Sequence, residues 1–284
     1  MKYCDLHIHS TASDGTYTPE QIVRRAKNFR LDGIAVTDHD SVAAIDETAD
    51  IAAKLGIDYA PGLEISTADL DGRMHILGYF IDIGNRALED LLVKQVQARQ
   101  GRIVESCKVL TEMGCPCTYE DIEEIANGAA IGRPHIAEFL IQSGAVKNFY
   151  EAFSRFLAGG KPAYIPKWAP SPQEAIDTIH AAGGLAIAAH PGITEGMMDK
   201  LSNLVKWGID GFEVYYPRHR HEDMERLIVT AQEHDLIITG GSDCHGLRRG
   251  EPLLGIFKVR YELMTNLRKR WEERRGELSM HNLK

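Results

Sequence analysis

The stretch Asp5-Leu6-His7-Ile8-His9-Ser10 decides the fold. Side chains at i, i+2 and i+4 leave a strand on one face. If residues 3–9 form a strand, Asp5, His7 and His9 share one face, and Cys4, Leu6 and Ile8 share the other. One face is crowded with groups of the kind that ligate metals, and the other is apolar. A solvent-facing polar strand would satisfy the same alternation. The crowding recurs at later strand ends, however, which a surface face does not require.

Outward from this strand, short apolar runs alternate with amphipathic helical stretches. Strands are expected at 33–37, near 57–65, and at 74–80, 185–189, 210–214 and 236–241. Helices are expected at 18–30, 42–55, 172–182, 196–206 and 221–234. Thr18-Pro19-Glu20 supplies a cap, a proline at the first helical position and an acid at the positive end of the dipole. Ser41 is expected to cap the second helix, and Gly183-Gly184 and Gly208 stand where helix C-termini should lie. This alternation predicts an α/β fold with a parallel sheet.

From Gly84 to about Gly160 the strand rhythm stops. Helices are expected there at 86–113, 119–127, 134–142 and 147–157. The segment reads as a small helical insert bounded by Gly84-Asn85 and Gly159-Gly160. The expected domains are therefore 1–84 with 160–284, and an inserted subdomain at 85–159.

The ligand-type groups recur along this frame. Thr37-Asp38-His39-Asp40 ends the second strand, Glu64 is expected to end the third, and His75 opens the next. His190-Pro191 follows the strand at 185–189, Glu213 lies inside a strand, and Asp243 and His245 follow another. Apart from His75 and Glu213, these groups sit at or just past strand C-termini, the face that carries active sites in parallel α/β folds. His180, His234 and His281 fall on helices or the tail and read as ordinary residues. Imidazoles and carboxylates suit Zn, Fe, Ni or Mn. These candidates exceed the roughly four to six ligands of one ion, so two or three ions are implied. Clustered ions suit hydrolysis.

Composition narrows the function. The 284 residues suit one large domain or one with an insert, and 44% hydrophobic with 26% charged residues is ordinary for a globular chain. The net charge of −9 argues against gripping duplex DNA along its phosphates. The five cysteines fit no disulfide framework or zinc ribbon, so free thiols and a cytoplasmic location are expected. No apolar run reaches the roughly 20 residues of a membrane span. The tail from Arg268 to Arg275 reads as a solvated helix.

With these residues in view, Asp5 to Ser10, Ser13-Asp14-Gly15, Thr37 to Asp40, Glu64, His75, His190-Pro191 and Gly241 to His245 resemble the motifs of the PHP (polymerase and histidinol phosphatase) family, in family order over Met1 to about Gly246. The resemblance implies a distorted (β/α)7 barrel and a trinuclear site. By resemblance the ligands are His7, His9, Asp14, His39, Glu64, His75, His190, Asp243 and His245. Asp38 and Asp40 are expected to orient imidazoles or the nucleophilic water, and Asp40 stands as a candidate catalytic residue.

Gly132-Arg133-Pro134-His135-Ile136-Ala137 opens a helix in the insert, where an arginine fork and a helix start suit phosphate; a surface capping turn is the plainer alternative. The segment through Ser143-Gly144-Ala145-Val146 resembles the stand-alone PHP proteins that cleave phosphate from nucleotides, including 3′,5′-bisphosphates, or trim RNA from its 5′ end. In that subgroup the Arg and His are thought to touch phosphate, which carries over to Arg133 and His135. Lys161 to Trp168 mixes bases with aromatics, as a base-stacking pocket would. His219, in the loop Tyr216 to His221, is a candidate phosphate ligand or leaving-group acid.

The expectation is a phosphoesterase using two or three divalent transition-metal ions, Mn²⁺ ahead of Fe²⁺ or Zn²⁺, with a metal-bound hydroxide attacking a phosphate monoester of a small nucleotide. The expected partner is that small phosphorylated substrate, with neither duplex DNA nor a membrane, on a monomer or small homo-oligomer. A histidinol phosphate phosphatase would share the metals. A C–N hydrolase would call for a strand-end lysine, which is absent, and a non-catalytic module would lack part of the ligand set.

Overall fold

Thr18 closes a capping box with Gln21, with Pro19 at the first helical position, and so starts helix α1 (Pro19–Asn28) where the sequence places it. This computed structural model describes residues 1–126, 131–166 and 168–281, with the side chains at 71–72, 248–249 and 277–281 outside the description. Two compact units emerge: residues 1–92 with 170–284, and residues 93–169.

The first unit holds strands β1 (Tyr3–Ile8), β2 (Gly33–Val36), β3 (Asp58–Tyr59), β4 (Gly62–Ser66), β5 (His75–Tyr79), β6 (Leu185–Ala188), β7 (Gly211–Tyr215), β8 (Ile237–Gly240) and β9 (Val259–Arg260). Its helices include α2 (Ile45–Leu55) and, after the second unit, α7 (Pro172–Ala181), α8 (Leu201–Lys206), α9 (His221–Glu233) and α10 (Glu262–His281). The strands form two sheets, ordered β3-β2-β1-β9 and β4-β5-β6-β7-β8. Isolated bridges pair Ile8 with Cys244 and His39 with Glu64, linking a strand of one sheet to the other at each end.

The sheets are mixed, which corrects the expected parallel arrangement. Pairs β4–β5, β5–β6 and β1–β9 are antiparallel, while β1–β2, β2–β3, β6–β7 and β7–β8 are parallel. The reason is the short link from β4 to β5, Thr67 to Met74. A parallel pair needs a crossover of about a dozen residues or more. The reversal explains His75, which opens its strand instead of ending it. His75 pairs with Ser66, the last residue of β4, and Ile76 pairs with Ala188, the last residue of β6. The start of β5 therefore lies level with the C-terminal ends of its neighbours.

Core packing holds this frame. Leu6, Leu77, Tyr79, Leu185 and Ile187 form one buried cluster, and Ile8, Ile22, Ile34 and Val36 belong to another. The Tyr79 hydroxyl, fully buried, donates to the Leu6 carbonyl at 2.6 Å. Gly241 permits a close approach: a Cβ there would lie 2.4 Å from Cβ of His7 and 2.5 Å from its backbone nitrogen.

Two further expectations change. Ser41 does not cap α2, whose preceding residue is Ala44; its hydroxyl instead accepts from the Ala43 amide at 3.3 Å and shapes the turn before the helix. The tail is not merely solvated. Met264 and Leu267 on α10 are buried and Trp271 packs against Phe80, a helical i, i+3, i+7 stripe. Arg268, Arg270 and Arg274 pair with Asp58, Asp235 and Asp210.

In the second unit, the greater part of α3 (Arg86–Glu112) is followed by α4 (Tyr119–Ala126), α5 (Arg133–Gln142) and α6 (Phe149–Ala152), the last continuing into a π-helical turn over Phe153–Leu157. Ile103, Leu110, Ile122, Leu140 and Phe156 fill its core. Among the described residues no helix is long and apolar enough to cross a membrane.

Candidate metal centre

Glu64 stands at the middle of the site. It lies inside β4 and not at its end, and it is fully buried. Its Oε2 is 3.3 Å from Nε2 of His7, 3.2 Å from Nε2 of His9 and 3.1 Å from Nδ1 of His39. Its Oε1 is 2.9 Å from Nδ1 of His75 and 3.2 Å from Nε2 of His190. Burial alone would raise the pKa of this carboxyl, but the surrounding His39, His7 and His75 hold it well below the usual carboxylate range.

Asp243 is the second hub, with Oδ1 at 3.1 Å from Nε2 of His9, 3.5 Å from Nε2 of His7 and 3.4 Å from Nδ1 of His245. Here too burial is outweighed, by His7 and His9, and the carboxyl stays ionised. Asp14 Oδ1 lies 3.2 Å from Nε2 of His245. The structure thus brings all nine candidate donors together. Three overlapping groups each have ligand atoms within 4.8 Å of one another: His9, Asp14, His39 and His245; His7, His9, Glu64 and Asp243; and His39, Glu64 and His75. His190 joins them through Glu64.

The donors fit cations. His9 Nδ1, His39 Nδ1 and His245 Nε2 are buried and lie 3.1–3.8 Å from carboxylate oxygens, yet none is aligned for a hydrogen bond, whereas buried polar atoms normally are. Imidazole nitrogens and carboxylate oxygens in this number suit divalent transition metals. The backbone is strained at the same place: Asp40, His190 and Asp243 adopt φ of 50°, 33° and 51°. Non-glycine residues held there cost about 1–3 kcal/mol each and concentrate at functional sites.

A supporting layer surrounds the donors. Glu213, fully buried on β7, accepts the Nδ1 proton of His7 at 3.0 Å and the backbone amide of His190 at 2.9 Å. The place of Glu213 inside a strand is legible in the sequence, and its role is not. Asp5 accepts the Ser242 amide at 2.8 Å, and burial first pushes its carboxyl up to about 7. Asp40 accepts from the backbone amide of Ser66 at 2.9 Å. Asp38, expected to orient an imidazole or water, turns to the loop after β1 and accepts from the Ser10 amide, the Ser10 hydroxyl and the Ser13 hydroxyl.

His219 is held by backbone groups. Its Nδ1 donates to the Val214 carbonyl at 2.8 Å and its Nε2 accepts the Gly192 amide at 3.1 Å. Both ring nitrogens are thus engaged by backbone, and the imidazole ties the end of β7 to the loop after β6. Arg133 and His135 lie in the second unit. His135 Nδ1 accepts the Gly132 amide at 3.0 Å and helps start α5. Arg133 donates to the Leu157 carbonyl at 3.2 Å, with its guanidinium 5.3 Å from the Tyr164 ring centroid. Lys94 sits 3.9 Å over the Trp168 ring, so a cation lies near each of these two aromatic rings of the stretch Lys161 to Trp168. Lys167, part of the expected pocket, lies outside the described residues.

Comparison with known proteins gives this geometry a relationship. The chain is similar to a 5'-3' exoribonuclease of Haemophilus influenzae, 41% identical over 251 residues, covering 86% of this chain and 90% of that one. It is similar to a 3',5'-nucleoside bisphosphate phosphatase of Chromobacterium violaceum, 33% identical over 262 residues, covering 88% and 90%. Among solved structures it resembles a metal-dependent phosphoesterase of Bifidobacterium adolescentis, with a TM-score of 0.77, 31% identity and coverage of 93% and 94%. The PHP domain matches residues 5–239, and the chain belongs to the PHP domain family.

Proposed function

We propose that the protein is a metal-dependent phosphoesterase that hydrolyses phosphate monoesters of small nucleotides, with a nucleoside 3′,5′-bisphosphate or a short 5′-phosphorylated RNA as the favoured substrate. The observation that carries this reading is the gathering of nine imidazole and carboxylate donors around Glu64 and Asp243, with buried imidazole nitrogens that face carboxylates without hydrogen-bond alignment. Family membership and the relatives' names support it. The two sheets, joined by the bridges at Ile8 and His39, support a distorted seven-stranded barrel. The helical unit after β5 is read as an insert into it.

His7, His9, Asp14, His39, Glu64, His75, His190, Asp243 and His245 would hold two or three divalent ions, Mn²⁺ being the favoured assignment, with Fe²⁺ and Zn²⁺ also suited to a set of six imidazoles and three carboxylates. Bound ions supply Lewis acidity, acidifying water and offsetting charge on phosphoryl oxygens. The chain's own residues set the stage for this. Glu213 fixes the His7 ring through Nδ1. Asp40 ties the end of β2 to the end of β4 through Ser66 and is read as a residue that steadies the attacking water. Arg133 and His135 are read as phosphate contacts of the insert.

The test is phosphate release from adenosine 3′,5′-bisphosphate, AMP, histidinol phosphate and a short 5′-phosphorylated RNA, at equal concentration after chelation and Mn²⁺ restoration. Release from the nucleotides only when metal is present is expected. Preference for histidinol phosphate over every nucleotide would refute the substrate assignment, and release without metal would refute the mechanism.

A further inference from the structure

Asp243 is held by a tyrosine. Tyr216, buried just after β7, donates its hydroxyl proton to Oδ2 of Asp243 at 2.9 Å. A hydroxyl that donates can still accept, and the Tyr216 oxygen accepts an Nη2 proton of Arg218 at 2.8 Å. The guanidinium also lies over the Tyr216 ring, 5.6 Å from its centroid. Two hydrogen bonds in series therefore anchor an exposed arginine to a candidate metal ligand.

A loop arginine ordinarily pairs with a carboxylate or extends into water. Among the described residues this one bonds to a neutral phenol and makes no ion pair. It borders a cavity of about 220 Å³ whose wall includes Ser242, Asp243 and His245. Pockets that take a whole small ligand run to about 300–1,000 Å³, so this one has room for a single group of a substrate. A guanidinium and a cluster of dications repel each other unless an anion lies between them. A tetrahedral phosphate can face both at once, and the planar fork suits it.

We propose that Arg218 binds a phosphate of the substrate in the cavity beside Asp243, with Tyr216 as the residue that positions it. The assignment rests on the phosphoesterase reading above. It differs from the arginine of the helical unit in lying within the same compact unit as the metal-ligand candidates.

The experiment compares wild type with Arg218→Ala, Arg218→Lys and Tyr216→Phe. Metal content, melting temperature and orthophosphate affinity by calorimetry are measured on chelated and Mn²⁺-loaded protein, followed by KM and kcat on AMP and on adenosine 3′,5′-bisphosphate. Arg218→Ala should keep its metal and its melting temperature. Its orthophosphate affinity should fall by about tenfold or more, the scale of a lost charge-assisted hydrogen bond, and KM should rise. Lysine should not restore either quantity, because it lacks the fork. Tyr216→Phe should fall between wild type and Arg218→Ala. An equal rise of KM on both substrates identifies the reacting phosphate, and a rise on the bisphosphate alone identifies the second one. Unchanged orthophosphate affinity and KM in Arg218→Ala overturns the assignment. So does loss of metal in that variant, which makes Arg218 a brace for Asp243. Failure of the phosphoesterase reading shows separately, as a wild type that releases no phosphate, because the orthophosphate titrations need no turnover.

Discussion

His7 donates its Nδ1 proton to Glu213 across 3.0 Å, which leaves Nε2 facing His9, Glu64 and Asp243 at 3.1–3.5 Å. The carboxylate can only accept, so this contact sets the tautomer of a ring at the centre of the site. Glu213 also holds the His190 amide, so one buried carboxylate positions two candidate ligands.

Glu213→Gln should therefore damage the site without touching it directly. The amide keeps the shape but can present its NH₂ group to His7 and favour the wrong tautomer. Partners of this kind are typically worth 10–100-fold in metal affinity or activity. A fall of about that size in kcat/KM is expected, with metal content lowered at limiting Mn²⁺ and the circular dichroism spectrum unchanged. Wild-type metal affinity and rate in this variant would contradict the role given to Glu213.

Gly241→Ala tests the closeness of β8 to β1. The added methyl would meet His7 Cβ at 2.4 Å and its backbone nitrogen at 2.5 Å, atoms that cannot rotate away. Overpacking of a tight core costs about 1–3 kcal/mol, and here the strand that must yield carries His7 and leads directly into His9. Lower melting temperature and lower metal occupancy should appear together. A stable variant that retains full metal would show that the strands separate more readily than this packing implies.

Arg133→Lys asks whether the helical unit contributes a phosphate-binding fork. Arg133 spends one donor on the Leu157 carbonyl and stacks near Tyr164, which orients the planar group. Lysine keeps the charge but neither the plane nor the paired donors. If the fork is used, Arg133→Lys and Arg133→Ala should lose comparable kcat/KM while metal content stays normal. Unchanged kinetics in Arg133→Ala would leave this residue as a local brace of α5 and the Phe153–Leu157 turn.

Much of this arrangement was legible in the chain because it depends on local period and local caps. The alternation in Asp5 to His9 shows two chemically different faces whatever the tertiary context, and Thr18-Pro19 and Gly183 mark helix ends by backbone chemistry alone. Strand direction was less legible. Its only sign was the shortness of the link between Ser66 and His75, and reading that sign also accounts for His75 at the start of its strand. Partnerships across distant loops were not legible at all. Nothing in Val214-Tyr215-Tyr216-Pro217-Arg218-His219 tells that His219 bridges two backbone segments while Tyr216 reaches Asp243. Glu213 was similarly ambiguous, since a carboxylate flanked by Phe212 and Val214 suits a ligand and a brace equally. In Trp271 and Leu267, the high charge of the surrounding tail hid an apolar stripe.

Metal uptake should release protons and strengthen with pH. Burial by itself lowers the pKa of His9, but hydrogen bonds and charge from Asp243 and Glu64 overcome it and push the ring up to about 9 in the metal-free chain. His7 is likewise raised, burial being outweighed by Glu213, Glu64 and Asp243. His39 is the opposite case: burial, with His9 and His75 nearby, pushes it down to about 3 against the pull of Glu64, so it offers a lone pair without losing a proton. Unfolded histidine titrates near about 6.5. For His9 the folded pKa is the higher one, so its stabilisation of the metal-free fold is complete below about pH 6.5 and disappears as pH rises through about 9. A ligating imidazole must be free of its proton at the ligating nitrogen. Mn²⁺ affinity should therefore rise over the same window in which the chelated protein loses stability. The melting temperature of chelated protein should fall between pH 6.5 and 9, and that of Mn²⁺-loaded protein should not follow it. Calorimetry of Mn²⁺ binding at pH 7.5 in two buffers of different ionisation heat should report net proton release. Identical binding heats in both buffers, or a chelated protein that grows more stable toward pH 9, would overturn this linkage.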